Sequence, residues 1–209
     1  MVLTKLSLII IYFLVLLTRV EPRSLEKAPS FYINPQVYEY THMGFQSLTG
    51  VSLWVQYLYR HSLVLPKDAQ GFSWQFRLLD TITNLSPKFR AAYRSGGEVL
   101  SVVVNDIEGA RRIFEKGIEH FPTHWPLLYS AAYHYMEEVK DLDRASELYL
   151  EAQKHGAPNW VIALAGKLYS EAGRRDIAIK TLESYLESFP EGSAREVVLE
   201  RLKNLKSSP

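Results

Sequence analysis

The regular spacing of proline and small residues constrains the fold of this chain more than any other feature of its sequence. Three prolines each follow an apolar segment of helical spacing, with intervals of 35 and 68 residues: Pro87, Pro122 and Pro190. Small residues recur in phase with them: Ala110, Ala145 and Ala178. Because 68 is twice 34, the period predicts one structural unit that is used repeatedly rather than a single globular core.

Each of these alanines is expected to open a helix after a polar turn. The turns read NDIEGA, KDLDRA and GRRDIA, and the fourth residue after each alanine is large and apolar: Phe114, Tyr149 and Leu182. Upstream, the partner helix has a small residue where two backbones would cross: Gly97, Ala132 and Gly166. Since a larger side chain at a crossing would overpack, the pattern predicts helical hairpins in close contact.

A less regular hairpin is predicted before these units, over residues 34–90. The pair Asn34-Pro35 is typical of a helix start. The helix would reach about Arg60, with one apolar face at helical spacing: Leu48, Val51, Val55 and Leu58. A second helix is expected from about Ser73 to Leu85, with its own stripe: Phe76, Leu79, Ile82 and Leu85.

The C-terminal segment has the features of a cap on a helical array. Ser193 and Glu196 form a plausible capping box at the start of a helix over residues 193–205. Its apolar stripe, Val198, Leu202 and Leu205, would cover the last apolar face of the array. Residues 206–209 are expected to form a frayed tail.

The three units resemble the tetratricopeptide repeat (TPR) family. In the third unit the family's small, aromatic, turn, small and closing positions hold Gly166, Tyr169, Gly173, Ala178 and Pro190. The second unit, from about Pro126 to Pro158, matches through Ala132, Tyr135, Ala145, Tyr149 and Ala152. The first, from about Ala91 to Pro122, matches through Tyr93, Gly97, Ala110, Phe114 and Pro122. The resemblance implies an all-α, right-handed α-solenoid of TPR-like hairpins over residues 91–192.

The N-terminus has the character of a targeting or anchoring segment. Lys5 precedes an uncharged run of 13 residues, Leu6 to Thr18, which is nearly all large and apolar. A helical membrane crossing needs about 20 residues, so the run also suits a signal peptide. Residues 1–18 are therefore interpreted as a hydrophobic helix that is an uncleaved anchor or a cleaved signal peptide, with an N-terminal core helix as a third alternative. Residues 19–33 would be a linker.

The side of the membrane follows less directly from the sequence. Arg19, Arg23 and Lys27 outnumber Lys5 across the run, so the positive-inside rule alone would keep the body in the cytoplasm. The layout of the run resembles that of an export signal. We expect a membrane-associated protein with an extracytoplasmic body, on the periplasmic side in a bacterium.

The composition narrows the chemistry that the chain can perform. It has no cysteine, which removes thiolate nucleophiles, thiolate metal sites and a lipid-anchor cysteine. Its 24 basic and 23 acidic residues give a net charge of +1, so no field favours nucleic acid. His120 and His124 have a metal-ligand spacing, but Pro122 separates them. Without a nucleotide-binding or hydrolase motif, we expect no enzyme, no cofactor and no metal.

The resemblance also implies a binding surface. In TPR proteins the first helix of each pair lines a concave groove, and the corresponding positions here hold Arg94, Glu98, Tyr129, Tyr133, Met136, Trp160 and Lys167. The family's clamp for chaperone tails uses a Lys and Asn pair, which this chain lacks. The implied function is a non-enzymatic, membrane-tethered adaptor for a protein or peptide partner. The aromatic residues have a second interpretation, as packing between repeats.

A second function remains open at the sequence level. The chain could be a structural subunit of an envelope assembly for secretion, pili or polysaccharide export. Its docking surface would then be the aromatic N-terminal helices: Trp54, Tyr57, Tyr59 and Trp74.

Overall fold

The structure is a computed structural model that describes residues 37–38, 44–60, 65–188 and 195–207. Within these residues all regular secondary structure is helical. The helices are α1 Gln46–Arg60, α2 Trp74–Leu85, α3 Arg90–Val102, α4 Ile107–His120, α5 Trp125–His134, α6 Leu142–Lys154, α7 Trp160–Glu171, α8 Arg175–Ser188 and α9 Arg195–Ser207. A π-helical turn, Tyr135–Val139, continues α5.

The helices pack in the order in which they follow each other along the chain. Every helix from α1 to α8 contacts its successor, and the most extensive contacts join α5 to α6, α6 to α7, α7 to α8 and α3 to α4. Helices α2 and α4 are also in contact, as are α3 and α5. This arrangement confirms the all-α fold that the period predicts.

Small residues occur where neighbouring helices approach most closely. A Cβ atom on Gly97 would lie 2.8 Å from the Phe114 ring, and one on Gly166 would lie 2.5 Å from Leu182. Ala145 and Ala178 are completely buried. The predicted close approach at small residues is therefore present in the structure, and at Gly97 and Gly166 a large residue of the partner helix fills the space.

The turn inside each regular hairpin adopts a left-handed backbone conformation. Asn105 has φ 55°, Lys140 φ 62° and Gly173 φ 76°, at positions 35 and 33 residues apart. This conformation reverses the chain after the first helix and favours glycine, because a side chain there costs about 1–2 kcal/mol. The backbone thus repeats in phase even where the sequence has Asn or Lys in place of Gly.

Asp106 joins the start of two helices. Its Oδ1 accepts a hydrogen bond from the Gly109 N–H at 3.1 Å and so caps α4. Its Oδ2 accepts one from the Ser73 N–H at 2.7 Å, while the Ser73 hydroxyl oxygen caps α2 by accepting from the Phe76 N–H at 3.1 Å. Since Asp106 is only 1% exposed, this carboxylate connects α2 and α4 inside the protein.

Helix α1 differs from expectation in the face that it buries. The predicted helix is confirmed to Arg60, but Gly44, at φ 85°, precedes its first residue, Gln46. Leu53 and Tyr57 enter the core, whereas Val51, Val55 and Leu58 of the predicted stripe are exposed and its fourth member, Leu48, is half-buried. The helix has apolar residues on two sides, and helical spacing alone does not tell which side packs.

Helix α9 covers the last hairpin. Val198 and Leu202 pack into a buried cluster with Ile162, Leu182 and Tyr185. The helix continues to Ser207, beyond the expected end at residue 205, and Lys206 forms an ion pair with Glu183 at 2.6 Å. Ser193 of the expected capping box lies outside the described residues.

The predicted hydrophobic segment 1–18 and linker 19–33 also lie outside the described residues. Within the part of the chain that the structure describes, no helix has both the length and the apolar character that a membrane crossing requires.

Enlarging a buried alanine at a crossing tests the packing. We expect Ala145→Leu and Ala178→Leu each to lower the free energy of unfolding by about 1–3 kcal/mol, because neither site has room for three further carbons. Thermal and urea unfolding measure the effect. Ala91→Leu, on the exposed side of α3, is the matched control and should change stability little. Equal stability of all four proteins would contradict the packing.

The left-handed turns predict a substitution that raises the free energy of unfolding. Lys140→Gly should raise the free energy of unfolding by about 0.5–1 kcal/mol, because glycine adopts this conformation without a Cβ clash. Gly173→Ala should lower it by a similar amount at the equivalent position. Both are measured by urea unfolding, and a destabilised Lys140→Gly protein would show that its ion pair with Glu137 outweighs the backbone cost.

Candidate functional site

Three successive first helices, α3, α5 and α7, carry the residues predicted to line a groove. On α3, the Arg94 Nε atom lies 3.2 Å from Glu98 Oε1. The same carboxylate oxygen accepts a hydrogen bond from the Ser130 hydroxyl of α5 at 2.6 Å. Glu98 therefore connects α3 to α5 next to Tyr129.

Aromatic contacts continue this connection from α5 to α7. The Tyr129 ring meets the Trp160 ring edge-on, with 6.1 Å between centroids, and Tyr149 of α6 in the same manner at 5.2 Å. Trp160 is 48% exposed and Tyr133, one helical turn after Tyr129, is 46% exposed. Tyr129 is thus a packed support, and the two half-exposed rings are available to a partner.

The remaining predicted residues have other contacts. Met136, in the π-helical turn, is half-buried and packs against the main core. Lys167 of α7 forms an ion pair with Glu171 at 3.5 Å between Nζ and Oε1. The contacts above form two pairs, Arg94 with Glu98 and Tyr129 with Trp160, and Ser130 of α5 connects the first pair to the helix that carries Tyr129. We take these four residues with Tyr133 as the candidate groove.

Two guanidinium groups lie near His124 at the N-terminal end of the candidate groove. Burial, together with the nearby guanidinium groups of Arg90 and Arg94, lowers the pKa of His124 below its ordinary value. Arg90 also lies over the Phe121 ring, 5.4 Å from its centroid. His124 precedes the first residue of α5, whereas His120 ends α4, so the two histidines do not share a helix.

A serine and a histidine that sequence reasoning did not single out meet in the core. Ser101 Oγ lies 2.8 Å from His134 Nδ1, and the imidazole packs against the Phe114 ring. Ser101 is 5% exposed and His134 1%, so a substrate cannot reach this pair. Burial is the main cause that lowers the pKa of His134 to about 4, which keeps the imidazole neutral at neutral pH. We interpret the pair as a structural contact between α3 and α5.

Other titratable groups are consistent with surface or packing roles. Asp141 caps α6 by accepting from the Arg144 N–H at 2.9 Å, as its position before a helix predicts. Hydrogen bonds from Arg111 and Arg112 lower the pKa of Glu108 to about 2. Among the described residues, no group of three or more His, Asp or Glu side chains is placed to hold a metal ion.

The aromatic residues considered for docking at the N-terminal end divide between core and surface. Tyr57 and Trp74 are buried, and Trp54 is half-buried and stacks on Tyr57 with 5.2 Å between centroids. Only Tyr59 of these four is well exposed. A partner at this end would therefore meet the outward side of α1 rather than a cluster of aromatic rings.

Comparison with known proteins identifies no family or function for this arrangement of residues. The sequence matches no protein-family model, and no curated protein matches it at a significant level.

The buried histidine predicts how stability depends on pH. The pKa of His134 is about 4 in the folded protein, against 6.5 for an ordinary histidine, so the unfolded chain binds the proton first as the pH falls. The stabilisation is complete above pH 6.5 and is lost progressively towards pH 4. We expect His134→Gln, which keeps hydrogen-bonding capacity, to reduce the slope of unfolding free energy against pH in this window.

Urea unfolding at a series of pH values measures that slope. His120→Gln, which removes a histidine from the surface, is the control. Identical slopes for the wild type and His134→Gln would show that burial of this imidazole does not govern the acid sensitivity of the fold.

Proposed function

We propose that this protein is a non-enzymatic adaptor that binds a protein or peptide on the concave face of a TPR-like, right-handed α-solenoid. Helices α3, α5 and α7 form the binding wall, and the segment 1–18 tethers the protein to a membrane with its helical body on the extracytoplasmic side. The sequence resemblance to TPR proteins motivates the solenoid and the position of the wall.

Two regularities of the described residues support a solenoid. Left-handed turns recur at positions 105, 140 and 173, and the first helices that precede them have buried small residues at the crossings. The principal helix contacts reach the next helix or the one after it along the chain. Nearest-neighbour contacts of this kind are typical of repeat proteins, in which each unit packs only on its neighbours.

The observation that carries the binding proposal is the pair of half-exposed rings of Tyr133 and Trp160 beside a packed Tyr129. A tryptophan or tyrosine that is already held by a neighbour loses little conformational entropy when a partner binds. Such residues dominate the energetics of protein interfaces. The exposed part of each ring offers an apolar contact, while Arg94 and Glu98 provide polar contacts at the edge of the same wall.

The wall can be tested by site-specific photocrosslinking of the full chain in its own cell. A photoreactive phenylalanine analogue at Tyr133 should give a discrete crosslinked product with another protein. The same analogue at Val197, an exposed position on α9, should not. Addition of Trp160→Ala should weaken the crosslink at position 133 about thirtyfold, because a central aromatic contact contributes about 2 kcal/mol.

Two results would count against a binding wall on α5 and α7. One is an equal crosslinking pattern at positions 133 and 197. The other is a product at position 133 that is indifferent to Trp160→Ala while the variant retains its thermal stability. Either would favour the interpretation in which Tyr129 and Trp160 only fill the space between helices.

A further inference from the structure

The outward side of α1 is an apolar surface at the N-terminal end of the array. Four residues share this side of the helix, and their exposed fractions are 50% for Val51, 42% for Val55, 51% for Leu58 and 75% for Tyr59. The opposite side of the helix carries Leu53 and Tyr57 into the core. We call the exposed set, Val51, Val55, Leu58 and Tyr59, the outer face of α1.

The two ends of the array differ in how they meet their surroundings. At the C-terminal end, α9 covers the last hairpin and contains six Lys, Arg or Glu side chains in its 13 residues. At the N-terminal end, α1 has 15 residues and only one charged side chain, Arg60 in its last turn. A charged terminal helix suits water, whereas a helix with a single charge that is apolar on two sides suits a second apolar environment.

The N-terminal part of the body also has a different charge from the rest. Between residues 44 and 90 there are five Lys or Arg and two Asp or Glu, whereas between 91 and 209 there are 15 and 18. Both acids of the first set are held in ion pairs, Asp68 with Arg77 at 2.6 Å and Asp80 with Lys116 at 2.9 Å. Lys67 of the same set lies 4.0 Å from the buried Asp106. The net charge is +3 for residues 44–90 against −3 for residues 91–209, so the N-terminal segment is complementary to a surface of anionic lipid.

The chain that precedes α1 limits how far this end can move from the apolar run. Residue 18 closes the run, and the next described residues, Val37 and Tyr38, are helical, with Tyr38 packed against the main core. The intervening 18 residues span at most about 65 Å, even when fully extended. If the run sits in a bilayer, as the proposed function requires, the N-terminal end of the body stays within about 65 Å of the same bilayer and is the part of the body that the linker joins to it.

We propose that the outer face of α1 lies against the surface of a membrane that contains anionic lipid. Val51, Val55 and Tyr59 enter the boundary between headgroups and acyl chains, where tyrosine is a favoured residue. The positive charge of residues 44–90 holds this end of the array on the bilayer. The proposal rests on the membrane tether of the proposed function. It adds an orientation, with the first hairpin next to the lipid and the candidate groove further from it.

The absence of cysteine from the chain allows a direct test. The full chain with Val55→Cys carries one environment-sensitive fluorophore and is reconstituted into phosphatidylcholine vesicles with and without phosphatidylglycerol. We expect blue-shifted emission that is quenched by doxyl-labelled lipid, and stronger quenching with the anionic lipid. Val197→Cys on α9 is the matched control: it also replaces an exposed valine, and its probe should remain accessible to aqueous iodide.

A second variant distinguishes the contact of α1 with lipid from the attachment of the protein to vesicles through the apolar run. Val51→Glu/Val55→Glu/Tyr59→Glu places charge on exposed positions, so its thermal unfolding should remain close to that of the wild type. With a probe at residue 58, introduced as Leu58→Cys, lipid quenching should be lost in this variant, while flotation of the protein with the vesicles persists through the apolar run.

Three other outcomes distinguish failure of the lipid contact from failure of the membrane tether. A probe at position 55 that is quenched by iodide shows α1 in water, and overturns the proposal. A blue-shifted probe without lipid quenching shows that a second copy, another protein or the apolar run covers α1, and also overturns it. Loss of flotation in the wild type overturns the tether together with this proposal, whereas crosslinking at position 133 reports separately on the groove.

Discussion

The structure depends on the close approach of helices at residues without bulky side chains. Gly97 leaves room for the Phe114 ring, Gly117 for Tyr93 and Gly166 for Leu182, and in each case a Cβ would lie within 2.8 Å of its neighbour. Because interiors are packed as densely as organic crystals, these contacts set the distance and relative position of the helices. The surfaces on which α3, α5 and α7 display their outward residues follow from the same contacts.

The free backbone N–H groups at the helix starts find their hydrogen-bond acceptors in the turns between the packed helices. Asp106 and Asp141 cap the second helices of their hairpins, and a left-handed residue immediately precedes each of them. Asp106 does more than its equivalent, since its second oxygen accepts from the Ser73 N–H. The irregular first hairpin is thereby attached to the regular units through a buried carboxyl group whose hydrogen bonds are formed, and the loss of a buried hydrogen bond is costly at low dielectric.

The functional proposals concern two surfaces that remain exposed after the helices have packed, one on α5 and α7 and one on α1. On α5, Tyr129 is held between Tyr149 and Trp160, and the neighbouring Tyr133 remains half-exposed. On α1, the residues that enter the core leave an equally apolar outer face. We propose a polypeptide as the partner of the first surface, which follows the successive first helices, and lipid as the partner of the second. The two are compatible with a tethered adaptor whose groove stays open.

The sequence by itself determined the helices, the period and the small residues at the crossings, because these depend on local spacing and on side-chain volume. The caps at Ser73 and Asp141 follow a separate local rule, since a Ser or Asp directly before a helix can accept from its first free N–H groups. The sequence did not determine the partner of Asp106, the burial of His134 against Ser101 or the side of α1 that packs. Leu53 and Tyr57 compete with Val51 and Val55 for the core, and helical spacing is satisfied by either set. Only the tertiary structure decided between them, because the choice depends on which side of α1 meets α2 and α3 in space.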